Sequence, residues 1–161
     1  MYGMKCSVSS ETLDKIKKQS IISTSIAMVF DGNCREAMEF YQRVFKAENK
    51  HILTMGELSN NSSDSISEND KNKVANGTMT IGNLEINFFD NFMPESQHIT
   101  GNNIIMHMWI EGKDETHRIF NELKDGGTVH EELKEQFYAD LNGIVTDKFG
   151  VKWNLLCHVP K

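Results

Sequence analysis

Between residues 37 and 45 the apolar side chains fall at Ala37, Phe40, Tyr41, Val44 and Phe45, the i, i+3, i+4, i+7, i+8 spacing of a helix with one buried face. Asn33, with Glu36 three residues on, reads as the capping box that opens this helix, and Asp31-Gly32 supplies a turn from the apolar run at 26–30. A strand at 25–30, a tight turn and a helix at 33–45 make a βα unit that needs a sheet to cover it. Residues 51–55 read as a second strand, and 75–81 and 84–90 alternate with period two around Gly82-Asn83, a hairpin signal. After a polar connection at 91–102 the pattern begins again. A strand is predicted at 103–110, then a helix that Asp114 caps, that carries Ile119, Phe120 and Leu123, and that stops at Gly126-Gly127. Further strands are predicted at 128–133, 140–146 and 151–157.

The order is βαβββ followed by βαβββ, an internal repeat. Asn33 and Asp114 are 81 positions apart, while Gly82 and Gly150 are only 68 apart. The difference approximates the length of the stretch 59–73, whose one apolar residue is Ile66, so this stretch reads as a mobile insertion into the first module. The predicted organisation is an N-terminal appendage at 1–22, with a short helix near 11–18, and one domain at 23–157, with module one at 23–90 and module two at 103–157. The fold class is α+β: two βαβββ modules forming a curved mixed sheet, helices outside, with the opposite sheet face lining a cleft.

Composition narrows the function. A net charge of −6 over 161 residues argues against nucleic acid, which wants a concentrated basic surface. Lys15, Lys17 and Lys18 read as a solvated helix face among acidic neighbours. No apolar run reaches the roughly 20 residues of a membrane span, and none forms a signal core, so a soluble, unprocessed protein is expected. Cys6, Cys34 and Cys157 have no framework spacing and suggest free thiols in a reducing cytoplasm. Cys34 sits in a first helical turn, where the macrodipole lowers a thiol pKa, and is read either as a reactive thiol or as packing.

Three segments, FDGNCREAMEFYQRVF, MTIGNLEINFFD and VTDKFGVKWNLLC, together resemble the PhnB-like subgroup of the vicinal oxygen chelate superfamily, which includes glyoxalase I, bleomycin resistance proteins and extradiol dioxygenases. The resemblance covers about 23–157 and implies paired βαβββ modules and a homodimer. The superfamily's enzymes hold a divalent metal through ligands from the first and last strands of each module. Here those positions fall at Ser25 or Ile26, at Glu85 or Asn87, at Asn103 and at Asn154, which leaves one carboxylate and no expected metal site. Where the subgroup carries an aromatic-Gly motif near the seventh strand, this chain has Phe137-Tyr138-Ala139-Asp140-Leu141-Asn142.

Strand parity then selects a cleft lining. Asn103, Ile105, His107 and Trp109 share one face of their strand, and Ile104, Met106, Met108 and Ile110 share the other, which should pack under the helices. His107 and Trp109 are the pair best suited to meet a ligand, or else they satisfy each other inside a core or a dimer seam. Glu85, Asn87 and Phe89, with Lys152 and Asn154 from the last strand and Tyr138, complete the expected lining; Glu85 beside Lys152 reads as a recognition pair or a rim salt bridge. Two functions follow. The first is a protein without a cofactor that binds a small organic molecule, for which a basic compound would suit the acidic chain. The alternative is a lyase or dioxygenase of the glyoxalase type holding a divalent metal on a noncanonical set such as His107, Glu85 and His51. A regulatory role for the appendage and the polar loop is a third, blander reading.

Overall fold

Strand β1 (Ile26–Phe30) buries Met28 and Phe30 and leaves Val29 exposed, the alternation of a strand with one covered face. The computed structural model describes residues 24–59, 66–92, 98–99 and 101–160; the expected appendage at 1–22, Cys6 and residues 60–65 of the expected insertion lie outside them. Gly32, at φ +85°, makes the turn into helix α1 (Cys34–Phe45), which buries Ala37, Met38, Phe40, Tyr41 and Val44. The expected capping box does not form: Asn33 makes no side-chain cap. Asp90 takes its place, accepting Cys34 N at 3.0 Å on one carboxylate oxygen and Val74 N at 2.7 Å on the other. An anion at a helix N-terminus satisfies orphan amides and complements the dipole, so the distant carboxylate outcompetes the local amide.

Strand β2 (Glu48–Thr54) runs into a short helix, α2 (Met55–Ser59), that the apolar pattern did not announce. Its signal is polar. Thr54 Oγ1 accepts Glu57 N at 3.2 Å, and the Glu57 carboxylate accepts Thr54 N at 2.8 Å, a reciprocal capping box. On the far side of the insertion, the carbonyls of Lys71 and Lys73 accept Gly56 N and Met55 N, each at 2.9 Å, which ties the described part of that stretch to α2. Strands β3 (Val74–Ile81) and β4 (Leu84–Asp90) form the expected hairpin.

The second module repeats the first with strand β5 (Met106–Glu111), helix α3 (Lys113–Lys124), and strands β6 (Thr128–Gln136), β7 (Ala139–Thr146) and β8 (Lys152–His158). Strand β5 starts three residues later than expected because its ladder to β8 begins at Met106 opposite Trp153, so Asn103, Ile104 and Ile105 precede the sheet. Asp114 lies in the first turn of α3 rather than at its cap, which is Gly112. There are two four-stranded mixed sheets, ordered β1-β4-β3-β2 and β5-β8-β7-β6, each with a parallel first pair and antiparallel hairpins. Helices α1 and α3 each lie against the sheet of their own module over a strand glycine. A Cβ on Gly77 would sit 2.6 Å from Met38 Sδ, and one on Gly143 would sit 2.9 Å from the Phe120 ring.

One hydrophobic core spans both modules, from Met28, Phe30 and Phe88 to Phe120, Trp153 and Leu155. Tyr41 of α1 crosses between them, its ring centroid 5.5 Å from that of Trp153. At the surface the two helices are tied by charge. Arg118 donates to Val44 O at 2.8 Å and to Glu115, and Lys46 reaches Glu115 at 3.0 Å. No helix among the described residues is long and apolar enough to cross a membrane.

The hydrogen bonds from Arg118 and Lys46 hold the Glu115 carboxyl well below its ordinary value of 4.5, at about 2. A folded-state value below the unfolded one means that this stabilisation is present above the unfolded pKa and is lost as pH falls towards 2. Glu115→Gln is therefore expected to flatten the acid limb of the stability curve across that window. Because the Glu115 side chain is 36% exposed, salt should shrink the difference. Urea midpoints measured across the window check this, and a variant curve parallel to the wild type would refute it.

Candidate functional site

Each sheet keeps one face away from the helices. On the first, Val29 of β1 stands beside Phe89, Asn87 and Glu85 of β4, and Asn87 Nδ2 donates to Ser25 Oγ at 2.7 Å. On the second, His107 and Trp109 of β5 are exposed while Met106, Met108 and Ile110 turn towards the core, as strand parity anticipates. Ile104 departs from that parity: it is 70% exposed, because the strand has not yet begun there. Asn103 for the same reason projects from the loop and not from β5.

The second open face carries a continuous polar string. Tyr138 OH donates to Asn142 Oδ1 at 3.1 Å, and Asn142 Nδ2 donates both to Leu155 O at 3.0 Å and to Asn154 Oδ1 at 2.5 Å. Asn154 Nδ2 then lies 3.2 Å from His107 Nδ1, and the His107 ring meets Trp109 edge-on with centroids 6.3 Å apart. Asn142, almost fully buried, holds the middle of the string. Sequence reasoning missed it, although the period-two reading of β7 beside Asn154 carried the signal.

Beside the string is a cleft of about 520 Å³ lined by Trp109, Gln136, Phe137, Tyr138, Asp140 and His158. Phe137, fully exposed at the tip of the β6–β7 hairpin, packs edge-on against Tyr138 at 4.9 Å. Trp109 and Tyr138 are both about half exposed, so three solvent-accessible aromatic side chains border this hollow. The structure thus gathers His107, Trp109, Tyr138 and Asn154 of the expected lining on one face. Glu85, Asn87 and Phe89 lie on the other sheet. Lys152 lines a different cleft, of about 670 Å³, with Ile26, Val29, His98, Ile104 and Phe149. No ion pair joins Glu85 to Lys152 among the described residues, and their strands belong to separate sheets.

The superfamily's divalent metal does not fit these side chains. Among the described residues no three of His, Cys, Asp and Glu converge. Both ends of the Asn154 amide are engaged, by Asn142 and His107, and the Ser25 hydroxyl faces the Asn87 amide. The noncanonical set does not assemble either. His51 is on β2, separated from β4 by β3, and His107 is on the other sheet. Of the two readings of Cys34 the geometry favours packing: the residue is fully buried, and burial first, then the neighbouring Asp90 carboxylate, push its thiol up to about 12, against the effect of the helix dipole.

The family described as 3-demethylubiquinone-9 3-methyltransferase matches residues 22–156. Protein YjdN of Escherichia coli K12 is 29% identical over 131 residues, which span 77% of this chain and 87% of that protein. Protein PA1353 of Pseudomonas aeruginosa superposes with a TM-score of 0.69 at 26% identity, over 86% of this chain and 100% of its own. The PhnB protein of Bacillus cereus superposes with a TM-score of 0.65 at 20% identity, covering 84% and 99% of the two chains. The fosfomycin resistance protein FosX of Listeria monocytogenes, at 15% identity and a TM-score of 0.56 over 83% and 91%, shares the fold.

Proposed function

Because the chain belongs to the family described as 3-demethylubiquinone-9 3-methyltransferase, the PhnB-like branch of the vicinal oxygen chelate superfamily, we propose that it binds a small, flat organic molecule on the open face of its second sheet. The observation that carries this reading is the exposed aromatic border of Trp109, Phe137 and Tyr138 around a cleft, backed by a polar string whose internal bonds are satisfied. Exposed rings beside oriented polar groups are what a recognition surface for organic ligands requires. The acidic balance of the chain, with Asp140 at the cleft, favours a neutral or basic molecule over an anion.

Methyl transfer, which the family's description names, draws no support from this site. The first helix of the first module, at whose start a cofactor's carboxylate or phosphate would be held, has its first amide closed by Asp90. The superfamily's metal chemistry lacks its donor set among the described residues.

A thermal-shift panel of neutral and basic aromatic compounds tests the proposal. Ligand at about a hundred times its Kd adds roughly 2.7 kcal/mol, expected here as a rise of several degrees in Tm. A broad panel in which nothing moves Tm would sink the reading. So would about one zinc or manganese ion per chain in untagged protein, which would return the site to metal chemistry.

A further inference from the structure

We infer that the polar string fixes the tautomer of the His107 imidazole, with Nδ1 the accepting nitrogen and Nε2 the N–H donor, so that this face selects flat ligands carrying an uncharged hydrogen-bond acceptor; this rests on the binding function proposed above. The direction of every bond is set from one backbone carbonyl. Leu155 C=O can only accept, so the Asn142 amide turns its nitrogen towards it at 3.0 Å and presents its oxygen to Tyr138 OH. The same nitrogen donates to Asn154 Oδ1 at 2.5 Å, which leaves Asn154 Nδ2 to face His107 Nδ1 at 3.2 Å. An amide N–H only donates. Nδ1 is therefore the lone-pair nitrogen of the ring, and the proton of the neutral form sits on Nε2.

Nε2 makes no hydrogen bond among the described residues, and the exposed His107 ring stands 6.3 Å from that of Trp109. A flat molecule laid on Trp109 thus has its edge within reach of a directed donor. A ligand whose edge carries an N–H meets donor with donor, while a carbonyl or a ring nitrogen completes the bond. Asn142 and Asn154 act through His107 and are positioning residues; they do not touch the ligand.

Quinoline and indole make a matched pair of probes, two fused rings of similar size, one offering a ring-nitrogen acceptor and the other an N–H donor. At a pH above the imidazole range, ¹⁵N shifts of His107 are expected to show a protonated Nε2 and a bare Nδ1. Titrations followed on the Trp109 indole N–H are expected to show quinoline binding about tenfold more tightly than indole. In Asn154→Asp the new carboxylate accepts from Nδ1, the ring proton moves there, Nε2 becomes an acceptor, and the preference should reverse. The wild-type measurements stand whether or not that variant folds. A bare Nε2 in the wild type, or equal affinity for the two probes, overturns this inference and leaves the binding function intact. Failure of both probes to shift Trp109 overturns this inference and counts against the proposed function as well.

Discussion

Replacing Asp147 with alanine is expected to lower the unfolding free energy by about 4 kcal/mol, a large share of the roughly 5–15 kcal/mol that holds a domain together. Asp147 is 3% exposed and accepts Tyr41 OH at 2.8 Å, Trp153 Nε1 at 2.7 Å, Phe149 N at 2.9 Å and Val151 N at 3.1 Å. Burial holds its carboxyl above the ordinary value, although those four donors act in the opposite direction. Burial, and with it the same carboxylate, raises the Tyr41 phenol, which keeps it an O–H donor at any ordinary pH. Alanine leaves the Tyr41 and Trp153 donors orphaned in a core where each unsatisfied group costs about 1–3 kcal/mol.

Tyr41→Phe, which removes one donor and keeps the ring, should cost only about 1 kcal/mol. The double variant should cost less than the two single effects added together, because both delete the same bond. Urea unfolding measures all three. A loss below about 1 kcal/mol for Asp147→Ala would show that the network does not join the modules as the geometry says.

The second large effect separates the two tryptophans. Trp109→Ala is expected to leave Tm nearly unchanged, since the ring is 55% exposed, and to weaken a ligand found in the panel by about 30-fold or more, the loss of a hot-spot aromatic worth about 2 kcal/mol. Trp109→Phe should fall between. Trp153 is the opposite case, fully buried and tied through Nε1 to Asp147, so changes there belong to stability. Isothermal titration of the panel's best compound decides the point. Affinity unchanged within about twofold in Trp109→Ala would move the site to another surface, with the cleft by Lys152 and Val29 next in line.

Part of the site is legible in the order of residues alone. Period-two alternation places His107 and Trp109 on the uncovered face of β5 and the methionines beneath, because side-chain direction in a strand is a local property. Alternation does not say which sheet a strand joins. Glu85, Asn87 and Phe89 share the right parity and yet lie on the other sheet, and Lys152 shares a strand with Asn154 but lines a different cleft. The apolar character of its neighbours puts Asn103 in a strand, although a strand extends only as far as its partner pairs with it.

By itself the sequence determined the repeated βαβββ order, the limits of β4 at Leu84–Asp90, the buried stripe of α1 and the hairpin glycine. Each of these depends on periodicity or turn chemistry within about ten residues, where the chain's own geometry dictates the outcome. The tertiary structure decided what closes the α1 terminus, what joins the modules and which way His107 points. Those outcomes rest on Asp90 with Cys34, 56 positions apart, on Tyr41 with Asp147, 106 apart, and on His107 with Asn154, 47 apart. A polar group takes whichever partner folding delivers once water is excluded, and that partner is not written beside it in the chain.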